Sequence, residues 1–424
     1  MRKIFSGRRP SDRGDFVFTV APNLTATGST PALDFQLPIT APTSGGLVAF
    51  EIDWGDGTVE DVNSTSLPII HTYAGVGTYT CRIRGALRGW AFGAMTFGHD
   101  DACKMKTITN WGCFNVTNQA SFRDMVNFVA CTANDIPLFE YALGGVQMWR
   151  GCTVMSAINN LDNWNVGQQG SLTSGVTNMA EMFRDCGKWN SSNSTIPTQP
   201  NLTTWDVKKV TNFGSMFSGC TNFNGLMFKL QTGFVKGCQT DFMYYNAQNF
   251  NNALNSNINN WDTQAVTSMS GMFYNACDFN QPIGSWDVSA VGSMQRMFAH
   301  SGPPSPSLFN QPIGSWDVSN VTAAWGMFFN ASSFDQNLSN WDLSSITGNP
   351  TNGTWDTPAG GTFQLSQANY NALLIGWDAY NYPSVTSGTW NFGTSTFDCS
   401  PSAADTAHVS LVTKWGGISD GGCT

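Results

Sequence analysis

The sequence predicts a multi-domain fold in which a small N-terminal β-sandwich precedes an α/β solenoid that ends in a C-terminal cap. Three observations lead to this prediction: an alternating apolar pattern near the N-terminus, a recurring phrase, and a final stretch that departs from it. The phrase reads SWDVSAVGSMQRMF from Ser285, SWDVSNVTAAWGMF from Ser315 and NWDTQAVTSMSGMF from Asn260. The gap from Trp261 to Trp286 is 25 residues, and a fixed period indicates stacked units.

The composition of the 424-residue chain limits the classes of protein to which it can belong. Apolar residues make up 41% of the chain and supply a sizeable core, whereas charged residues make up only 12%. The net charge of −9 argues against nucleic acid as a partner. No stretch reaches the roughly 18 consecutive apolar residues of a membrane helix, so no membrane span is predicted.

Residues 1–15 form a predicted basic N-terminal arm. Five basic side chains lie in MRKIFSGRRPSDRGDF, and no apolar segment typical of a secretion signal follows them. We expect this arm to be flexible or to become ordered on a partner. It is therefore the candidate contact with other virion or surface proteins.

Residues 16–88 carry the pattern of a small β-sandwich. FVFTV, LVAFEIDW and YTCRIR alternate apolar and polar residues between turn signals. The segments WGDGTVED, from Trp54, and HTYAGVGTYTCRIRG, from His71, resemble the polycystic-kidney-disease-type (PKD) domain. This resemblance implies an Ig-like (immunoglobulin-like) sandwich of the kind usual on extracellular proteins.

Clustered acidic residues in this predicted domain are candidate calcium (Ca) ligands. Hard cations prefer carboxylate and carbonyl oxygens, which a short acidic segment supplies. In the alternative reading, the Asp side chains cap tight turns around Gly55 and Gly57. No other cofactor is predicted. The candidate ligands are Asp53, Asp56, Glu60 and Asp61.

Residues 89–350 hold the predicted solenoid. Ile283, Trp286 and Val288 fit the L-x-x-L-x-L strand signature of leucine-rich repeats (LRR), with the Trp as a core residue. An apolar stripe at i, i+3, i+4 and i+7 predicts a short helix after each strand. In one unit the stripe consists of Met269, Met272, Phe273 and Ala276. Residues 351–424 depart from the repeat and are predicted to cap its end.

The cysteines are predicted to fill space in the repeats. The position four residues after the repeat's Met holds Cys152, Cys186, Cys220, Ala247, Ala276, Ser301 and Ala331. A position that accepts Cys, Ala or Ser favours a small buried side chain over a disulfide ladder. Outside the repeats the sequence leaves pairing open, both among the first four cysteines and between Cys399 and Cys423.

The repeats also carry a family resemblance. FNQPIGSWDVSNVT with a following MF, the WGDGT module in front and the ending from LSQANYNALLIGW to SDGG resemble bacterial surface proteins with BspA-type leucine-rich-like repeats. That family is also met in viral and phage-encoded proteins. The resemblance implies an LRR-like solenoid used for adhesion at cell surfaces. Its members on cells usually carry a secretion signal, and none is visible in this sequence.

The candidate binding residues are the aspartates that follow the repeated Trp. In the strand signature this Asp points away from the core, and stacked strands about 4.8 Å apart would align the carboxylates in an acidic ladder. Such a ladder could hold cations or sugar hydroxyls. Alternatively, each Asp accepts backbone N–H bonds from the residues that follow it, as in turns. The ladder consists of Asp206, Asp262, Asp287, Asp317 and Asp342.

No catalytic or metal-binding motif is recognisable in the sequence. The four histidines fall in no metal-ligand or nucleophile pattern. Together with the family resemblance, the weakly charged composition and the absence of a visible secretion signal, this predicts a non-enzymatic virion (phage) surface protein, such as a capsid decoration, fibre or tail-associated adhesin that binds a host cell-surface glycan or protein. The alternatives are a bacterial cell-surface adhesin, and a carbohydrate-active enzyme with two carboxylates in one cleft.

Overall fold

The contacts in the computed structural model divide the chain into two compact units, Met1–Asn212 and Phe213–Thr424. The predicted domain boundaries, after residues 15, 88 and 350, stay predictions. Of the basic arm, residues 1–13 lie outside the described residues. The structure describes residues 14–39, 49–63, 67–87, 89–92, 101–116, 119–139, 145–164, 176–189, 202–225, 227–228, 237–251, 256–302, 306–346, 364–380, 390–399, 402–415 and 417–424.

The described part of the first unit is built from β-strands and turns. Ala49–Asp53 alternates exposed and buried residues, as a half-buried sheet requires, whereas the apolar and β-branched Phe16–Val20 is buried at four of its five positions. Its 3₁₀ turns are Asp101–Lys104 and Leu161–Asn163. The strands are β1 (Phe16–Val20), β2 (Asp34–Gln36), β3 (Ala49–Asp53), β4 (Val59–Asn63), β5 (Ile70–Thr72), β6 (Tyr79–Ala86), β7 (Met105–Asn110), β8 (Asn115–Val116), β9 (Ala130–Cys131), β10 (Leu138–Phe139) and β11 (Ala157–Ile158).

The main sheet of the first unit has seven strands in the order β11-β9-β7-β1-β6-β3-β4. Strands β7, β1, β6, β3 and β4 pair antiparallel, whereas β7, β9 and β11 pair in parallel. Strands β2 and β5 form a separate antiparallel pair. Phe18 on β1 lies 6.3 Å from Phe35 on β2 between ring centroids, so the two sheets pack face to face. A sandwich-like core therefore forms, and its main sheet continues beyond residue 88.

A buried ion pair links the segment around Thr30 to the main sheet. Lys104 Nζ lies 3.1 Å from Asp101 Oδ1, and both side chains are fully buried. Asp101 accepts bonds from the Thr30 and Gln36 backbone N–H groups at 2.8 and 2.7 Å. Lys104 also donates to the Thr30 and Asp34 carbonyls at 3.0 and 2.7 Å. These bonds supply the partners that two charges need when they leave water.

The second unit contains the α-helices of the described chain. Strands β12 and β13 pair in parallel, and so do β14 and β15. No helix in the described ranges is long and apolar enough to cross a membrane. The elements are β12 (Cys238–Gln239), a 3₁₀ turn (Ser256–Asn260), β13 (Val266–Ser268), α1 (Gln367–Ala379), β14 (Trp390–Asn391), α2 (Ala403–Trp415) and β15 (Ile418–Ser419).

The predicted fold class, an Ig-like sandwich followed by an LRR-like α/β solenoid with a cap, is wrong. Where residues 89–350 are described they contain no α-helix, and α1 and α2 both follow the repeats. No closed solenoid is found in the described ranges. The described chain instead consists of mixed sheets, with a sandwich-like N-terminal part, and of hydrogen-bonded turns.

Left-handed residues in the turns, paired in most copies, explain why the predicted helix does not form. Around Met272, Gly271 has φ 59° and Asn275 has φ 57°, and an L-residue pays a steric penalty in that conformation. Two such residues four positions apart cannot belong to one right-handed helix. The same pair of positions is occupied by Gln147 and Gly151, Glu181 and Asp185, Ser215 and Gly219, Phe242 and Asn246, and Gly326 and Asn330.

The backbone hydrogen bonds of these turns alternate between two directions. The Phe273 N–H donates to the Met297 carbonyl of the next repeat at 2.9 Å. The Met272 N–H donates to the Met269 carbonyl, three residues earlier, at 3.2 Å. An α-helix would send every such bond to the residue four positions back. The apolar stripe is therefore buried by turns that bond to their neighbours.

The repeated Trp is a core residue, as predicted. Each indole Nε1–H donates to a carbonyl of the preceding repeat, as Trp286 does to Ile258 at 2.8 Å and Trp316 to Ile283 at 3.1 Å. Successive rings stack within 4° of parallel at centroid distances of 5.8, 6.4 and 6.4 Å. We call this set the Trp row; it comprises Trp261, Trp286, Trp316 and Trp341.

The small repeat position is buried in most copies, which confirms its packing role. Cys152, Cys186 and Cys220 are fully buried, and the Cys152 thiol donates to the Phe122 carbonyl at 3.2 Å. Ser301 is the exception, because it is exposed. All eleven cysteines are free thiols; nine are buried, and Cys399 and Cys423 are exposed.

Candidate functional site

Every aspartate of the predicted ladder closes a turn. Its Oδ1 accepts the backbone N–H of the residue two positions later, which is the geometry of an Asx turn. The distances are 3.3 Å for Asp206, 3.3 Å for Asp262, 3.0 Å for Asp287, 3.1 Å for Asp317 and 2.9 Å for Asp342. The turn-capping alternative is therefore realised at all five positions, while a binding role for them stays a prediction.

Asp317 is held ionised by its local bonds. The Ser319 hydroxyl donates to Oδ1 at 2.6 Å, in addition to the Ser319 N–H. These two bonds lower the pKa of Asp317 below its usual value, because they stabilise the charged form. Among the described residues no hydrogen bond reaches Oδ2 of Asp317, so one carboxylate oxygen is left to face solvent or a ligand.

The aspartates of the ladder lie on successive copies of the repeat. Asp206 belongs to the first unit and the other four aspartates to the second. Like charges on neighbouring repeats repel each other, and the turn bonds that each Asp accepts offset part of that repulsion.

A cleft of about 410 Å³ opens at the last two members of the ladder. Asp317 and Asp342 contribute carboxylates to its lining, and hydroxyl, amide and phenol groups surround them. We call it the Asp317–Asp342 cleft. Its volume falls in the range of small-ligand sites. The other polar lining residues are Ser315, Ser319, Asn340 and Tyr380.

The end of α1 brings Tyr380 to this cleft. Trp377 on α1 donates its Nε1–H to the Leu338 carbonyl at 3.0 Å, which fixes the helix against the preceding repeat. Tyr380 follows α1, and its hydroxyl donates to the Asn340 carbonyl at 3.2 Å. Sequence reasoning missed Tyr380. The helix pattern LSQANYNALLIGWDAY placed an aromatic ring at a helix end but gave no indication of what the ring would face.

The predicted calcium ligands are occupied by local contacts. Asp53 Oδ1 accepts the Gly55 N–H and Asp56 Oδ1 the Thr58 N–H, both at 2.9 Å. Asp56 Oδ2 lies 2.8 Å from Nε2 of His71. Partial burial opposes ionisation of Asp56, but the His71 and Thr58 bonds prevail and lower its pKa.

The described acidic residues give the calcium hypothesis no support. Glu60 Oε1 lies 4.0 Å from Nδ1 of His71. Asp61 on β4 lies opposite Glu51 on β3 in the register of the two strands. No group of three or more His, Cys, Asp or Glu side chains in the described ranges could hold a metal ion. Calcium binding at Asp53, Asp56, Glu60 and Asp61 therefore stays a prediction.

A buried Cys-His contact in the repeats has the wrong protonation for catalysis. Cys277 Sγ lies 3.2 Å from Nε2 of His300, while Nδ1 of His300 accepts the Gly302 N–H at 2.9 Å. The neutral imidazole must then carry its proton on Nε2 and donate it to sulfur. Burial raises the pKa of Cys277 and lowers that of His300, so a thiolate–imidazolium pair is disfavoured.

A row of surface aromatic residues was also missed from the sequence. Phe242 is 42% exposed, and its ring contacts Tyr245 at 5.9 Å. Tyr245 stacks on Tyr274 of the next repeat at 5.1 Å. The signal lay in the phrases MYYNAQNF and MFYNACDF, where the aromatic residue two positions after Met is repeated in both. We call Phe242, Tyr245 and Tyr274 the aromatic row.

Comparison with known proteins connects the repeats to one family. Residues 145–257, 192–302 and 251–352 each match the family described as "Mycoplasma protein of unknown function, DUF285". The matches span just under half of the chain and are consistent with BspA-type repeats. That family is surface-associated, so the matches are compatible with a surface protein. No curated protein and no solved structure matches the chain, and the comparisons give no support to a PKD domain.

Proposed function

We propose that this protein is a non-enzymatic structural and adhesion protein on a virion surface, such as a capsid decoration, fibre or tail-associated adhesin. The similarity of residues 145–352 to a surface-associated repeat family is the observation that carries the proposal. The bacterial family that the repeats resemble is also met in viral and phage-encoded proteins, which is compatible with a virion. The basic residues 1–15 contact neighbouring virion proteins, and the repeats face the host.

The Asp317–Asp342 cleft is the proposed contact with a host glycan. Ionised Asp317 accepts hydrogen bonds from sugar hydroxyls, and the hydroxyl of Ser315 and the amide of Asn340 can donate or accept. Tyr380 also lines the cleft. A weakly charged chain with many hydroxyl and amide groups suits a neutral polysaccharide. No cofactor is needed for this role.

The lowered pKa of Asp317 limits the part it could play in hydrolysis. A glycosidase needs one carboxylic acid whose pKa is raised so that it can protonate the leaving group, and one ionised carboxylate as base or nucleophile. The pKa of Asp317 is lowered by its bonds to Ser319, so this carboxyl is a poor proton donor. Asp317 therefore does not fit the general-acid role of the carbohydrate-active alternative.

Fractionation of the source organism tests the location. Native particles and cell envelopes would be purified separately and the chain identified in each by mass spectrometry. Recovery in a density-banded virion fraction, with the basic residues intact, is the expected result. Recovery in bacterial envelopes alone would contradict the virion proposal and favour the cell-surface adhesin.

Site-directed variants test the cleft. Binding of the purified chain to host surface polysaccharides would be measured for Asp317→Asn, Asp342→Asn and the matched control Asp287→Asn, whose turn bonds are the same as those of Asp317. Loss of a charge-assisted bond at the cleft is expected to weaken binding about tenfold, with Asp287→Asn unchanged. Equal binding by all variants, with loss in Tyr245→Ala, would move the site to the aromatic row.

The same preparation tests the absence of catalysis. Host polysaccharides incubated with the wild-type chain are expected to keep their length, as measured by size-exclusion chromatography and reducing-end release. Cleavage by the wild type that Asp317→Asn abolishes would overturn the non-enzymatic proposal.

A further inference from the structure

Two of the eleven cysteines differ from the rest in their access to solvent. Nine thiols are buried, and burial raises the pKa of Cys131 and Cys238, for example, to about 12. Such thiols form little thiolate and resist oxidation. Cys399 and Cys423 are both exposed, so they are the accessible pair.

The backbone brings these two residues together. Phe397 forms a parallel bridge with Cys423, and two hydrogen bonds fix the bridge. The Phe397 N–H donates to the Gly422 carbonyl at 3.2 Å, and the Thr424 N–H donates to the Phe397 carbonyl at 2.9 Å. Cys399 lies two residues after Phe397, so it is close to the bridge that contains Cys423. The main chain therefore brings the two cysteines near each other.

We infer that Cys399 and Cys423 are a redox-active pair that closes to a disulfide bond when a low-molecular-weight disulfide, such as oxidised glutathione, is present. One cysteine thiolate attacks the oxidant and releases one glutathione thiol. The second thiolate then displaces the other glutathione from the mixed disulfide. Two cysteine thiols are oxidised to one S–S bond, and one glutathione disulfide is reduced to two thiols.

The bond would close a loop that contains α2. Helix α2 packs on α1, where Trp415 lies 5.9 Å from Trp377 and Lys414 pairs with Asp378 at 2.8 Å. A covalent link between Cys399 and Cys423 restricts the unfolded chain on both sides of this helix. The disulfide therefore stabilises the C-terminal part of the second unit. This inference does not depend on which surface carries the protein.

The surroundings of Cys399 determine the pH at which the disulfide bond forms readily. Interaction with the Cys423 thiol raises the pKa of Cys399, and slight burial and the negative charges of Asp405 and Asp398 raise it further. The reactive thiolate is therefore scarce at neutral pH and more abundant in mildly alkaline buffer. The exchange reaction is best started in alkaline buffer and stopped with acid.

Oxidation of the full chain tests the pair. The protein would be equilibrated with mixtures of reduced and oxidised glutathione, quenched with acid, alkylated and mapped by peptide mass spectrometry. A cross-linked peptide that joins Cys399 to Cys423, lighter by two hydrogens than the two reduced peptides, is expected. The oxidised chain should melt about 5–10 °C higher than the reduced chain.

Two variants make the test specific. Cys399→Ser and Cys423→Ser change exposed side chains, so both should fold as the reduced wild type does. Neither should gain thermal stability on oxidation. A wild-type chain that yields only glutathionylated monomers or disulfide-linked dimers would overturn the inference, and so would a cross-linked peptide without any rise in melting temperature.

Discussion

Lys104 and Asp101 show at the scale of single residues how much a buried charge depends on its partners. Lys104→Met would leave the Asp101 carboxylate buried and uncompensated, which is expected to cost about 3–5 kcal/mol of unfolding free energy. Urea unfolding monitored by fluorescence measures the change. The matched control is Arg84→Met, because Arg84 is 68% exposed in its pair with Asp15 and should matter little. Equal losses in the two variants would contradict the prediction.

Gly284 occupies a position that has no room for a side chain. A Cβ atom at this position would lie 2.5 Å from the Pro312 carbonyl oxygen of the next repeat, which cannot move without the backbone. Gly284→Ala is therefore expected to lower stability by about 1–3 kcal/mol. Gly292→Ala is the control, since its nearest contact, the Thr267 carbonyl oxygen, is at 3.8 Å. Thermal unfolding that ranks the two variants equally would contradict this reading.

Asp317 should make stability depend on acidity. Its pKa is lowered in the folded state, so it contributes stability above the ordinary Asp value of 3.8. That contribution is lost as the pH falls through the lowered folded pKa. Asp317→Asn should remove this dependence, so its melting temperature should fall less steeply than that of the wild type below about pH 4. Parallel melting curves across a pH series would argue against the effect.

At the scale of elements, the hydrogen-bonded turns of the repeats show what the sequence could and could not indicate. The stripe of Met269, Met272, Phe273 and Ala276 was buried as predicted, since burial depends on spacing alone. The helix was wrong because turns with left-handed residues bury the same stripe. Glycine marks such a conformation at Gly271, but Phe242 and Arg296 occupy the same position in other repeats. The left-handed backbone conformation could therefore not be predicted from the residue types at this position.

The sequence likewise predicted some residues of the candidate site and missed another. Asp317 and Asp342 were predicted because they belong to a periodic motif, and the structure lines a cleft with both. Tyr380 was missed because its place depends on the packing of α1 against a repeat that lies about 40 residues earlier along the chain. Contacts within a repeat follow from its period, whereas contacts made by the segment after the repeats do not.

The indole hydrogen bonds should contribute measurably to the Trp row. Trp286→Phe keeps an aromatic ring in the stack but removes the indole donor at 2.8 Å, so the Ile258 carbonyl keeps only the Trp261 N–H at 3.3 Å. Loss of this one hydrogen bond is expected to cost about 0.5–1.5 kcal/mol. Chemical denaturation of the variant and the wild type measures the difference. An unchanged midpoint would mean that ring stacking alone stabilises the row.

At the scale of the whole molecule, the helix content can be measured independently of the candidate functional site. Helices α1 and α2, each of 13 residues, are the α-helices in the described ranges. Far-ultraviolet circular dichroism should therefore show a weak helical band. A chain with a short helix in every repeat would give a much stronger one, so a strong band at 222 nm would favour the leucine-rich-repeat fold that the structure contradicts.

The N-terminal strands show why the extent of a sheet is hard to predict from its strands. Alternation in FVFTV and YTCRIR correctly indicated β1 and β6. Nothing in the alternation indicated that β1 also pairs with β7, where Thr19 lies opposite Thr107. Pairing between segments so far apart in sequence depends on the packing of the whole unit. The strands could thus be predicted, but the sheet they build could not.

The Trp row has an optical consequence. Near-parallel indoles separated by 5.8 to 6.4 Å exchange excitation energy readily, so light absorbed by one ring is emitted by another. A single quencher beside one ring should dim several of them. Because Trp316 lines the Asp317–Asp342 cleft, binding of a molecule there should change the intrinsic tryptophan fluorescence of the protein.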